Sequence, residues 1–551
     1  MGFYSKIKSR LPRATALMAA ACAIFLYAAA STARPDERPV RQRDSKVYLL
    51  HSDIIKKVKD KPDAQILLGN VEFRHDSIYM YCDSACFYKE ANSLEAFDNV
   101  RMIQGDTLSL TGEYLYYNGN TQIAQMRLDV IMENKGTTLF TDSLNYDRVL
   151  NYGYYFDGGM LRDSLNTLTS DWGEYSPSTK TAVFNYDVVL ENQRFMLYSD
   201  TLRYSTATGV ATITGPSKID NGSNHVYSSR GRYDTRRGRA YLLDRSLITT
   251  DDGKNITGDS LFYDRVNRYG EAFDNIAFDD TVSRHKMFGD YSYFNDSTNY
   301  AFVTDSAVAV DYSQGDSLFL HADTLIAITY DLDTDSVRRE ALAYHKVRFY
   351  RRDIQGVCDS MVFSSVDSCL TLYRDPILWN GNQQLLGEKI FFYMNDSTLE
   401  RAHINNSAMS VERLDSLKYN QVSGKDMKAW FEGGDLRRVD VIGSVRLIYY
   451  YMEKDSTYIG MNTSETSLLN MYLKKQQLQK IKMSPKTNSV FYPIDQIPAD
   501  KRRLQGFAWF DDIRPRSRHD IFIWRGKSAD QQIKQSQRKV PLPNRELFGD
   551  K

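Results

Sequence analysis

Gly258-Asp259-Ser260-Leu261-Phe262-Tyr263-Asp264, then Arg265-Val266-Asn267-Arg268, then Tyr269-Gly270-Glu271-Ala272-Phe273-Asp274-Asn275-Ile276-Ala277-Phe278, is the stretch that decides the fold. Two runs rich in aromatic and β-branched residues flank a polar turn, the pattern of two antiparallel strands. Side chains alternate along a strand, so Leu261 and Tyr263 share one face. The second run reaches Asp274-Asn275 before Ile276. Asp and Asn tolerate the backbone of a bend, and the β-branched residue after them returns to the apolar side. Gly69-Asn70-Val71, Asp98-Asn99-Val100, His345-Lys346-Val347 and Gly443-Ser444-Val445 repeat that device.

The pair recurs outward in both directions, as Leu115/Tyr117, Leu144/Tyr146 and Leu202/Tyr204, then Met361/Phe363 and Ile390/Phe392. Its second position returns at Phe87, Tyr117, Tyr146, Tyr175, Tyr204, Tyr233, Tyr263, Phe294, Ala327, Phe363, Phe392, Trp430 and Tyr472, with four successive gaps of 29 residues from Tyr117. A period between about 20 and 50 residues is the signature of stacked repeats. A lone two-stranded unit cannot bury its apolar face, so each needs neighbours on both sides. The expectation is an elongated, antiparallel all-β body of about 13 stacked repeats over residues 46–483, reaching roughly 120 Å at about 4.8 Å per strand. After Phe294 the gaps loosen to 33, 36, 29, 38 and 42 residues, which places longer loops in the C-terminal half. The position two before the aromatic is Gly173, Gly231, Ser292 and Lys428 in some units, so the interior reads as unevenly apolar.

Composition narrows the classes. Lys+Arg and Asp+Glu both total 70 in 551 residues, so no global charge draws the chain to nucleic acid or to an anionic surface. Aromatics make up 13% and Pro is only 13, which favours strands over disorder. Residues 1–33 read as a cleaved export signal: Lys6, Lys8, Arg10 and Arg13, the apolar run 14–30, then small residues at Ala28-Ala29-Ala30 or Ser31-Thr32-Ala33. An uncleaved anchor is the alternative, because 17 apolar residues reach the lower limit of a spanning helix. Residues 34–45 form a charged leader. Residues 484–551 form a tail with 14 Lys+Arg against 8 Asp+Glu. Its apolar runs, Phe507-Ala508-Trp509-Phe510 and Ile521-Phe522-Ile523-Trp524, suit a cap over the last repeat or a partner segment.

Nothing in the chain demands catalysis. There is no Gly-x-Ser-x-Gly elbow, no His-Glu-x-x-His, no phosphate loop and no dinucleotide fingerprint. The eight His lack ligand spacing, and the recurrent Asp (Asp83, Asp142, Asp171, Asp200, Asp259) repeats with the fold, so it reads as a strand-entry turn residue rather than an acid. Cys82 and Cys86 stand too far apart along a strand to be bridged, and Cys358 and Cys369 could meet only if register allowed. The expectation is no enzyme, no metal and no cofactor. Two readings of the aromatic period stay open: a dry core of stacked rings, or a partly open trough whose apolar wall accommodates acyl chains.

Gly69-Asn70-Val71-Glu72-Phe73, the Gly-Asp-x-Leu-x-Tyr variants and the repeated Phe-Asp-Asn-Val/Ile resemble the OstA/LptA-like proteins of lipopolysaccharide transport, over about residues 46–483. That resemblance implies a V-shaped β-jelly roll (β-taco-like) that binds lipopolysaccharide or a related glycolipid in the periplasm. It implies further that the chain forms part of a bridge toward the outer membrane and meets other lipopolysaccharide-transport components at either end. By the same resemblance the groove lining is Leu115, Tyr117, Leu144, Tyr146, Leu202, Tyr204, Leu261 and Tyr263, with Val100, Ile276 and Val347 from the second runs. The regular stretch from Tyr117 to Tyr263 is then where cargo is expected. The rivals are an outer-membrane β-barrel, which runs of nearer seven residues argue against, and a periplasmic scaffold that binds no lipid.

Overall fold

The computed structural model describes residues 45–58, 61–313, 315–331, 337–395, 398–453, 457–474 and 477–527. The export segment, the leader up to residue 44 and the tail from residue 528 lie outside the described residues. Nearly everything described is antiparallel β-strand, with three single-turn 3₁₀ segments in the tail and no α-helix among the described residues. The antiparallel all-β class read from the sequence is the class observed.

The deciding stretch folds into the strands Lys254–Asp264 and Tyr269–Asp280, with Tyr263 opposite Gly270 and Leu261 opposite Ala272. They are 11 and 12 residues long. The near-seven-residue runs of the sequence reading were therefore too short, because the strand continues through its bend instead of stopping there. The length argument against a barrel falls with them. A different observation disfavours that rival: apolar side chains gather between the two arms of each bent strand, while transmembrane barrels turn them outward.

The bends are built as the sequence suggested, from consecutive residues in the left-handed region. Asp98/Asn99, Asp274/Asn275 and Gly443/Ser444 have positive φ, and the ladder register shifts beside Val71, Ile276 and Val445. The same geometry occurs at Leu128/Asp129 and Tyr186/Asp187, where an Asp again precedes a Val but a bulky residue takes the first left-handed position. The recurrent Asp braces these bends from the neighbouring strand. Asn99 Nδ2 donates to Asp83 Oδ2 at 2.7 Å, and Asn275 Nδ2 to Asp259 Oδ2 at 2.6 Å. Their role is thus to hold a bend, a more specific task than entering a strand.

The chain divides into two compact units. One contains the described residues up to Asp106 together with Thr111–Met126. Within it the hairpin partners Tyr48–His51 and Ile54–Val58 both pair with Lys61–His75, which pairs in turn with Ile78–Tyr88. Its buried residues include Leu67, Phe73, Ile78, Met80, Leu94 and Met102. His75 is fully buried, bonded to the Tyr117 hydroxyl at 2.5 Å and the Ser45 carbonyl at 3.0 Å. The other unit contains Thr107–Leu110 and Arg127 onward, and carries the candidate site.

Candidate functional site: the inward face and the tail that backs it

Register in the second unit lines side chains into columns that cross many strands. The aromatic column runs Tyr146, Gly153, Tyr175, Ala182, Tyr204, Ala211, Tyr233, Ala240, Tyr263, Gly270, Phe294 and Ala301. Ring and small residue alternate, strand by strand. Strands stand about 4.8 Å apart, too close for an aromatic ring on every one, so the Gly or Ala makes room for its neighbours. A Cβ placed on Gly270 would strike the Phe294 ring. After Phe294 come three alanines in succession, Ala301, Ala327 and Ala341, before Phe363, and Ala327 and Ala341 are exposed.

The column two residues earlier holds Leu202, Leu242, Leu261 and Ala272, all buried. Gly173 and Gly231 in it are not polar gaps. A Cβ on Gly173 would collide with the Tyr155 ring, which is itself only 1% exposed, so this glycine leaves a slot for an aromatic. Nor is Lys428 an interior residue. Met427 occupies that column and is buried, while Ala429 takes the ring position and Met471 follows two strands later through Val439. Trp430 and Tyr472, which an aromatic search selects, belong to the opposite face and hold Arg438 between them at 5.0 and 5.8 Å.

Of the residues expected to line a groove, Leu115, Tyr117, Leu144, Tyr146, Leu202, Tyr204, Val100, Ile276, Val347 and Leu261 are at most 5% exposed, and Tyr263 is half-buried. The buried tyrosines already have polar partners. The Tyr146 hydroxyl donates to Asn151 and that of Tyr204 to Asp163, while Asn166 Nδ2 donates to Tyr204 Oη at 2.7 Å. Burial raises the phenol pKa of Tyr146, Tyr155 and Tyr204, that of Tyr155 to about 12, so all three stay neutral donors. This part of the face is sealed.

Further along, it is not. The inward column of the other arm runs Leu190, Leu197 and Ile219, all buried, then Val226, Ile248, Ile256, Phe278, Met287, Ala309 and Leu320, all only half-buried, and closes again at Phe349. Tyr233, Tyr263 and Phe294 on the facing arm are half-buried over the same strands. The buried cluster against which Val226 and Ile248 pack has four members, Leu242, Leu261, Ala272 and Ile276, while Ala309 and Leu320 at the far end pack against a larger one. An apolar window thus spans seven consecutive strands, or roughly 29 Å at about 4.8 Å each. Sequence reasoning missed it because half-burial depends on how the two arms close, not on residue type.

The tail lies on the outside of the same unit. It begins on the last long strands, where Asn488–Pro493 pairs with Tyr458–Lys474 and Ile497 packs on Ile448 and Met461, and then runs back along the outer face, with Phe510 and Ile513 on Val357, Ile377, Trp379 and Met409, and Ile521 on Val308 and Val310. Three buried glutamines hold its backbone or side chains. Gln421 donates to the Arg502 carbonyl at 2.9 Å and accepts from Leu504 N–H at 2.9 Å. Gln384 donates to the Ala508 carbonyl and accepts from Phe510 N–H, both at 2.8 Å. Gln355 Oε1 accepts from Arg514 Nε at 2.9 Å. The outer column beneath is Val310, Phe319, Tyr350, Gln355, then Trp379, Gln384, Val411 and Gln421 where the tail lies, but Asp220, His225, Thr249, Asn255, Asp279 and Lys286 where it does not. The footprint of the tail is therefore written into the repeats it covers.

Cys82, Cys86, Cys358 and Cys369 are all buried free thiols, and burial pushes the pKa of Cys82 up to about 12. Cys358 stands opposite Val347 and Cys369 opposite Ser364 and Tyr393, so register does not bring the two together. Among the described residues no group of three or more His, Cys, Asp or Glu could hold a metal ion. No helix among them is long and apolar enough to cross a membrane.

No curated protein matches the chain. Fourteen chains of solved structures do, among them LptH, the LptA homologous periplasmic component of the conserved lipopolysaccharide transport device from Pseudomonas aeruginosa. That similarity is 20% in identity over 18% of this chain and 75% of LptH, with a TM-score of 0.17. Residues 44–200 match the family model described as OstA-like protein.

Proposed function

We propose that this chain is an exported carrier that binds lipopolysaccharide or a related glycolipid and passes its acyl chains along the inward face, as part of a periplasmic bridge toward the outer membrane. The OstA-like match over residues 44–200 supports the class. The observation that carries the reading is the half-buried column from Val226 to Leu320, because a sequence evolved only for a dry core would seal it as it seals Leu190 and Leu197. Each CH₂ shielded from water there is worth about 0.8 kcal/mol, so a continuous apolar path lowers the barrier to moving an acyl chain. Transport needs no acid, base or nucleophile from this chain, and energy would come from a separate machine.

The sealed tyrosines from Tyr146 to Tyr204 favour a structural role for that segment, which restricts the cargo path to the window. Photoreactive groups at Ile256 and Met287 should crosslink lipopolysaccharide in cells, and one at Leu197 should not. Crosslinking at none of the three, with no lipid copurifying, would leave the scaffold reading in place of the carrier.

A further inference from the structure

Along the sealed stretch the tips of the two arms are latched to each other. Asn134 Nδ2 donates to Tyr175 Oη at 3.0 Å, Asn166 Nδ2 donates to Tyr204 Oη at 2.7 Å, and the Phe195 ring meets that of Tyr233 edge-on at 4.6 Å. The next ring of that column, Tyr263, turns to its own arm instead, with its hydroxyl 3.4 Å from Asp296. The latches stop where the half-buried window begins.

Positive charge collects on the lip at the same place. The tip loops of the arm that carries these rings follow one another in a row, joined by Thr235 N–H to the Gly209 carbonyl at 2.9 Å and by Arg265 N–H to the Gly238 carbonyl at 3.0 Å. Residues 235–238 and 265–268 each contain two Arg, whereas 177–180 contain one Lys, 206–209 no charge and 296–299 one Asp. Arg237 pairs with Asp234 at 3.6 Å. Among the described residues no carboxylate pairs with Arg236, Arg265 or Arg268, nor with Arg194, which stands on the facing tip next to Phe195. Arg236 donates to the Ala207 and Thr206 carbonyls, and Arg265 lies over Gly238 with its Nε buried and unbonded. Arg194, Arg236 and Arg268 are exposed.

The carboxylates on the facing tips are already engaged. His225 lies 3.1 Å from Asp220 and 3.6 Å from Asp251, and Lys254 pairs with Asp252. Burial raises the phenol pKa of Tyr233, and burial with Asp296 raises that of Tyr263. The charges of Arg265 and Arg194 oppose the rise at Tyr233, and those of Arg268 and Arg265 oppose it at Tyr263, which sets three arginines around two inward rings. Like charges held together repel one another and favour an anion among them.

We propose that Arg194, Arg236, Arg265 and Arg268 form a lip that holds the phosphate head of the amphiphile whose acyl chains lie in the window. The site depends on the carrier reading, which places the chains, and adds a fixed position for the head. Arginine suits the task because its planar fork pairs with two phosphate oxygens at once and keeps its charge.

The mature chain with a photoreactive group at Ile256 tests the lip, titrated with diphosphoryl lipid A and with the same lipid stripped of phosphate. The wild type should crosslink the phosphorylated lipid at a concentration about tenfold or more below that needed for the stripped one, by a margin that shrinks as salt is raised. Arg194→Gln with Arg268→Gln should lose most of that preference at an unchanged melting temperature, and adding Arg236→Gln and Arg265→Gln should remove the rest, with crosslinking of the stripped lipid unaltered throughout. Arg203→Gln with Arg232→Gln takes the same charge from exposed positions on the outer face of that arm and should leave the preference intact. An equal loss there makes the effect one of net charge and overturns the site, as does a preference that survives the loss of Arg194 and Arg268. If the wild type crosslinks both lipids equally, the carrier stands and the lip falls; if it crosslinks neither, both fall. Displacement of the lipid by inorganic phosphate at matched ionic strength would reveal a free-anion site and is equally fatal.

Discussion

Gly173 shows how a single residue carries the fold without showing itself in a search for aromatics. Its missing side chain is the space filled by Tyr155, so Gly173→Val should cost about 1–3 kcal/mol of stability through overpacking, read as a lower urea midpoint at unchanged slope. Leu128 is the opposite case: it adopts a φ of +65° at a bend while 59% exposed. The left-handed region costs a β-carbon-bearing residue roughly 1–2 kcal/mol, so Leu128→Gly should recover part of that and raise the midpoint, less the entropy of the added glycine. The inward Leu/Tyr pairs were legible because alternation fixes their face. The Ala and Gly between them were equally periodic, at Ala182, Ala211 and Ala240 with gaps of 29, but a small residue announces a space and not a contact. Trp430 and Tyr472 misled for the converse reason: a large ring draws attention whichever face it occupies.

Among the elements, bends and tail were read with unequal success. The bend signature was plain where Asp, Asn or Gly supplied both turn residues, and only half present at Leu128 and Tyr186, where Asp129 and Asp187 precede a Val but the ladder on either side imposes the conformation on the bulky residue. The docking of the tail was not legible, since its partners Gln355, Gln384 and Gln421 are unremarkable until register puts them on one outer surface. Gln384→Ala should leave Ala508 and Phe510 without those bonds and cost about 1–3 kcal/mol locally, measured as faster trypsin cleavage after Arg516 and Arg518. A pH effect belongs here too. Burial lowers the pKa of His321, whose ring lies 5.0 Å from that of Phe522 and whose Nδ1 bonds the Ala307 carbonyl at 2.7 Å. The folded state keeps this imidazole neutral, while the unfolded chain takes up a proton near pH 6.5. Its contribution is therefore fully present above about pH 6.5 and is lost as pH falls toward the depressed folded value. The melting temperature should drop more between pH 7.5 and 5.5 in the wild type than in His321→Gln.

At the scale of the molecule, repeat class and antiparallel order followed from the period, while the division into sealed and open stretches did not. Closure is set by how far the two arms lean together, a property no single strand encodes. The tail braces the outer side of the C-terminal strands, so truncation after Pro493 should uncover Ile377, Trp379, Met409 and Val411, and the shortened chain should bind a hydrophobic dye and self-associate where the full chain does not. The alternation of ring and small residue along one column has a last consequence. Removing one strand would set two rings side by side or two gaps together, whereas removing a pair restores the sequence of large and small. The length of such a chain is therefore quantised: duplications and deletions preserve the fold only in whole pairs, near 29 residues at a time in its regular part, which gives its evolution a ratchet step that point substitution lacks.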